Sequence, residues 1–225
     1  MREVIRIVIM VAVLLTVVLG VCLIVSAKDK QEPEEKTGYI FIGDSRTTGM
    51  NDAVHMELMD DTFVVAKNDA GYEWYMKEGS SIVYDIRCDH PEYTKWIYII
   101  NLGINDLNNI DNYKSLYREL TYEAIVYYET INPTDDNVGK IQCSQIEEFN
   151  KSLRYYMPDE DYINSYEYLL KVSGFEFTKK NDGINYNEKT YKTLYDFIMM
   201  AIEVHEFVKE NDNRYSAYYY LYNAR

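Results

Sequence analysis

"YIFIGDSR", residues 39–46, is a short apolar run closed by glycine, aspartate and serine. Its apolar part is continuous rather than alternating with polar residues, so it reads as a strand buried on both faces. Asp44 and Ser45 are residue types that cap helices, and apolar positions at helical spacing follow over residues 47–59. The stretch is therefore a strand-to-helix turn, the unit from which parallel sheets are assembled.

The same alternation continues along the chain. Apolar or β-branched runs at 62–66, 95–102, 124–131 and 161–166 read as four further strands. Helical patterns lie between and after them, at 72–86, 113–122, 144–156 and 187–209. In the fourth helix Ile146, Phe149 and Leu153 share a face, and in the last Tyr191, Leu194, Ile198 and Ile202 do. Strict strand–helix alternation implies a parallel sheet with helices on both sides, an α/β fold.

Upstream, residues 7–27 read "IVIMVAVLLTVVLGVCLIVSA" and contain no charge. About 20 apolar residues span a bilayer as a helix, and this run has no polar face for a globular surface. The expectation is a single-pass transmembrane anchor, with a cleaved signal peptide as the alternative because small residues precede Lys28. The body is placed outside the cell membrane because a short N-terminal tail before an apolar run usually leads to export of the chain beyond it. Arg2 and Arg6 on one side and Lys28, Lys30 and Lys36 on the other leave the charge rule without a preference. Residues 28–37 begin with "KDKQEPEEK", a solvated linker, and residues 38–225 form the body.

The formal charge is −14, which repels phosphate backbones and excludes nucleic acid as a partner. Tyrosine is abundant at 24 residues, a composition suited to a core edge or to a wet, glycan-binding groove. No cofactor or metal is expected, and nothing in the sequence sets an oligomeric state.

In an open parallel sheet the ligand site lies beyond the carboxyl ends of the strands. The residues there are Gly43-Asp44-Ser45-Arg46, Ala70-Gly71-Tyr72, Gly103-Ile104-Asn105-Asp106 and Asp182-Gly183-Ile184-Asn185. With their flanks, "IFIGDSR", "AGYEW", "NLGINDL" and "DGINY", these resemble the four blocks of the SGNH, or GDSL, hydrolases in order and spacing, over residues 39 to about 209. In particular the chain resembles the small membrane-anchored SGNH proteins of Gram-positive bacteria. The resemblance implies a three-layer α/β/α sandwich with a flavodoxin-like five-stranded parallel sheet. It implies an ester substrate, either a small molecule or an acyl group on a cell-surface glycan. It makes Ser45 the nucleophile, and the N–H groups of Ser45 and Gly71 with the Asn105 amide the oxyanion hole. Asp182 corresponds to the carboxylate that orients the histidine.

At the histidine's own position stands Asn185. A carboxamide can donate or accept a hydrogen bond but cannot take a proton near neutral pH, so Ser45 lacks its base. Two readings stay open: an esterase with much reduced turnover, and a tethered pseudoenzyme that binds a glycan or protein. The three histidines offer no substitute from their places in the chain. His55 is roughly 15 Å along a helix from Ser45, His90 precedes the third strand, and His205 is roughly 30 Å down the last helix. Arg46 is expected either to contact an anionic substrate or to pair with a carboxylate. Cys88 and Cys143 belong to opposite sheet edges, beyond disulfide reach.

Overall fold

A computed structural model describes residues 35–138, 140–171 and 183–211. The expected membrane span, most of the linker and Asp182 lie outside them. Among the described residues no helix is long and apolar enough to cross a membrane.

Five strands form one sheet: β1 (Thr37–Gly43), β2 (Thr62–Ala66), β3 (Lys95–Asn101), β4 (Ile125–Glu129) and β5 (Tyr162–Ile163). All neighbours are parallel, in the order β2-β1-β3-β4-β5, the flavodoxin-like arrangement expected. The helices are α1 (Ser45–Val54), α2 (Tyr72–Trp74), α3 (Ser80–Asp89), α4 (Ile110–Leu120), α5 (Cys143–Tyr156), α6 (Ser165–Lys171) and α7 (Glu188–Asn211). A π-helical turn, Tyr75–Gly79, joins α2 to α3, so the single helix read over 72–86 is three pieces.

Because strand side chains alternate between faces, each central strand feeds two cores. Ile40, Ile42, Tyr98, Ile100, Val126 and Tyr128 point to one side, where α3, α4 and α5 supply Val83, Leu116 and Phe149. Phe41, Ile97, Ile99 and Tyr127 point to the other, where α1, α6 and α7 supply Met50, Leu169, Leu194 and Ile198. This is the three-layer sandwich. Each fully buried isoleucine or leucine is worth about 1.5–3 kcal/mol, and continuous burial along β3 explains its uninterrupted apolar run.

One strand is shorter than its pattern. Only Tyr162 and Ile163 pair with β4, and helix α6 begins at Ser165. Asn164 terminates the strand: its Oδ1 accepts the Glu167 N–H at 3.3 Å and its carbonyl accepts the Tyr168 N–H. The Asn-Ser-Tyr-Glu sequence is a helix-start signature that competes with the apolar run, and it wins.

Candidate active site

Register brings the strand ends level. Gly43 at the end of β1 faces Ala66 of β2 and Asn101 of β3, so the loops beyond them leave from one edge. After β1 the chain turns to α1 on one face; after β3 it turns to α4 on the other. The divergence opens a crevice at the β1/β3 switch point, where ligands of such sheets bind.

Ser45 is the first residue of α1 and is half-buried. Asp44 caps the helix, its Oδ1 accepting the Arg46 N–H at 2.9 Å. Among the described residues neither the Ser45 hydroxyl nor its N–H has a hydrogen-bond partner. Both sit at a helix N-terminus, which favours negative charge. The other Asp44 oxygen is buried without a partner, and burial pushes this carboxyl up to about 6 while Arg46 pulls it down.

Across the crevice, consecutive side chains grip the backbone on both sides of Gly71. Asn105 Nδ2 donates to the Ala70 carbonyl at 2.8 Å, and the Tyr72 N–H donates to Asp106 Oδ2 at 2.9 Å. Asp106 also accepts from Asn109 Nδ2 and from the Tyr113 hydroxyl, whose pKa burial raises far above the usual value, keeping it a donor. A Cβ at position 71 would lie 2.7 Å from Asp106 Oδ2. Gly71 is thus required by the approach of a carboxylate from within the chain. The Gly71 N–H is left without a partner among the described residues, and one Asn105 amide hydrogen remains beyond its bond to Ala70. Asp106 stands in the sequence motif without a role; the spacing alone does not show that it fixes the neighbouring loop.

The third side holds Asn185. Its Oδ1 accepts the Tyr191 hydroxyl at 3.2 Å. The Tyr191 ring lies so close to Gly49 that a Cβ there would meet it at 2.7 Å. Gly49 is four residues after Ser45 in α1, hence on the same helix face. Tyr191 thereby places Asn185 on the face of α1 that carries Ser45.

Arg46 corrects both sequence expectations. It is 1% exposed, so it is not offered to a substrate, and among the described residues it has no carboxylate partner. Its Nε donates to the Ile184 carbonyl at 3.1 Å, Nη1 to the Asn132 carbonyl at 2.6 Å and Nη2 to the Pro133 carbonyl at 2.9 Å. The guanidinium also lies 5.1 Å from the centre of the Tyr186 ring.

Beneath this joint sits Glu129, the last residue of β4, fully buried. It accepts from Asn101 Nδ2, from Asn132 Nδ2 at 2.7 Å and from Ser165 Oγ at 3.0 Å. Burial pushes its carboxyl up to about 7, and those three donors and Arg46 only partly offset this. Nothing in a strand pattern marks position 129 as special; the signal is an ionisable residue at the end of a buried strand.

The three histidines are placed elsewhere. His55 is the left-handed residue that ends α1, with φ 57°, and pairs with Glu57. His90 ends α3, before β3, and contacts Glu92 and Phe63. His205 is buried in α7 and stacks on Tyr127. Cys88 and Cys143 are free thiols, as their separation required. No group of metal-ligating side chains occurs among the described residues.

Ser45, Gly71, Asn105 and Asn185 thus all leave the same sheet edge. Gly71 and Asn105 are joined directly through Ala70, Ser45 and Asn185 through the neighbours Arg46 and Ile184. The fold is that of the SGNH, or GDSL, hydrolases. The catalytic domain of peptidoglycan O-acetyltransferase A from Streptococcus pneumoniae superposes with a TM-score of 0.57 at 16% identity, covering 76% of this chain and 96% of that one. A protein of Slackia heliotrinireducens assigned as an SGNH hydrolase gives 0.56 at 11% identity, with 75% and 100% covered. A GDSL-like lipase assigned in Parabacteroides merdae gives 0.52 at 13%, with 75% and 96% covered. No family model matches the sequence, and neither does any curated protein sequence.

Proposed function

We propose that this protein is an SGNH-type serine esterase or acyl hydrolase whose turnover is held down by Asn185. The observation that carries the reading is the set of uncommitted groups at one sheet edge. The Ser45 hydroxyl, the Ser45 and Gly71 N–H groups and one Asn105 amide hydrogen have no partner among the described residues, in a fold otherwise dense with hydrogen bonds.

In this reading Ser45 Oγ attacks the ester carbonyl and loses its proton to solvent water, and the three donors take the charge that develops on the carbonyl oxygen. The alcohol leaves with a proton from solvent, and water then hydrolyses the acyl-serine. One such donor is worth roughly 3 kcal/mol in comparable sites. The serine proton is the obstacle. Asn185 cannot accept it, so attack is slow even though the oxyanion donors are present. Ester substrates fit this chemistry, and the peptidoglycan O-acetyltransferase among the structural neighbours supports an acylated cell-surface glycan as the natural class. An apolar span at 7–27 would keep the body at the outer membrane surface, close to such polymers. Retention of the full chain in carbonate-washed membranes checks that placement, and release into the wash would refute it.

A second reading, a non-hydrolytic binding module for a glycan or a protein, is favoured by the Tyr191–Asn185 bond, which builds the amide into the packing. Hydrolysis of p-nitrophenyl acetate by Asn185→His separates the two. The esterase reading expects a gain of about 10²–10⁴-fold that disappears with Ser45→Ala. A folded Asn185→His protein with no serine-dependent gain leaves the binding module.

A further inference from the structure

We propose that Arg46 is the positioning residue of this site, holding the loop that carries Asn185 at a fixed place relative to Ser45. The proposal rests on the reading of Ser45 and position 185 as nucleophile and base positions.

The geometry is specific. Arg46 follows Ser45 in α1, and its three bonded nitrogens reach two segments far away in sequence. One is the carbonyl of Ile184, the residue before Asn185. The others are the carbonyls of Asn132 and Pro133, in the buried loop after β4. That loop is itself tied to the Asn185 loop twice more. The Asp135 N–H donates to the Gly183 carbonyl at 2.8 Å, and the Tyr186 hydroxyl donates to the Pro133 carbonyl. Asn185 therefore lies between anchored residues on both sides, Gly183 and Ile184 before it and Tyr186 after it.

The far end of the clamp is fixed as well. Glu129 orients the Asn132 side chain, and Asn132 presents its carbonyl to Arg46. A buried cation that only filled space would be replaceable by an apolar side chain of like volume. A guanidinium instead supplies several donors in one rigid plane, which a lysine cannot reproduce. Displacement of about 1 Å at a reacting group can cost about 100-fold in rate, so a clamp between Ser45 and position 185 acts on kcat rather than on substrate capture.

The test uses Arg46→Lys, with Arg46→Ala as a second variant, in the native chain and together with Asn185→His. In the Asn185→His background, Arg46→Lys is expected to lower kcat for p-nitrophenyl acetate about 10- to 100-fold with KM changed less than about twofold. Added methylguanidinium is expected to restore part of the rate of Arg46→Ala. In the native background, amide hydrogen exchange is expected to quicken at 131–135 and 183–187 while β1 and β3 stay protected. A KM rise at unchanged kcat, or unchanged exchange at 183–187, overturns the proposal. Absence of serine-dependent turnover in Asn185→His removes the esterase reading, and the exchange measurement on Arg46→Lys still decides whether Arg46 holds the loop.

Discussion

Asn105 and Asn185 carry the same carboxamide at the same edge of the sheet, and the two positions ask opposite things of it. At Asn105 the amide donates to Ala70 and keeps a second hydrogen, as the proposed oxyanion site requires. At Asn185 the amide oxygen holds the Tyr191 hydroxyl, at the position where the proposed mechanism needs a proton acceptor. On the proposed reading, one region is equipped for its chemistry and the other is only shaped for it. An identical side chain is competent or inert according to whether the position needs a donor or a base.

The largest effect that could break this comparison is at the competent side. In the Asn185→His background, Asn105→Ala is expected to lower kcat about 10²–10³-fold with KM little changed, read from p-nitrophenyl acetate kinetics. An unchanged kcat would mean that the Asn105 amide serves only to hold Ala70.

A smaller effect sharpens the structural half. The backbone at Gly71 is extended, so alanine is excluded there only by contact, with Asp106 2.7 Å from the added Cβ. Asp106 cannot swing aside without giving up Tyr72, Asn109 and Tyr113. Gly71→Ala is expected to cost about 1–3 kcal/mol in thermal or urea unfolding. No loss of stability would show that the Asn105–Asp106 grip is loose.

The smallest reading concerns acid. Glu129 is pushed up to about 7 from 4.5, and Asp44 to about 6 from 3.8. The native chain then holds more protons than the unfolded chain between the two values of each group. Stability is fullest below the unfolded values and falls as pH rises, through 3.8 to about 6 for Asp44 and through 4.5 to about 7 for Glu129. Urea midpoints followed across this range are expected to fall, and Glu129→Gln is expected to flatten the upper part of the fall. An unaltered slope would remove Glu129 from the account.

Much of the candidate site is legible in the sequence because it is local. Ser45 follows a buried strand, Gly71 and Asn105 follow two others, and residues 183–187 precede the last helix. Motif and edge rule together select those positions. The role of Arg46 is not legible, because its partners lie 86, 87 and 138 residues away and are carbonyls, which every residue has. Helical spacing puts Tyr191 on the inner face of its helix, but its contact with Gly49 and its bond to Asn185 follow from how α7 packs on α1. Asn164 does carry a signal, a cap followed by Glu167, and the apolar run before it masks that signal.

The sequence by itself determined the parallel sheet, the edge where the candidate site lies and the carboxamide at position 185. Periodicity, strand–helix turns and side-chain chemistry are properties of neighbours along the chain. Only the tertiary structure decided which donors remain uncommitted, that Arg46 spends itself on backbone carbonyls, and that Glu129 is buried beneath the site. Those depend on which distant polar groups meet once water is excluded, where every buried donor and acceptor must find a partner or be left for a ligand.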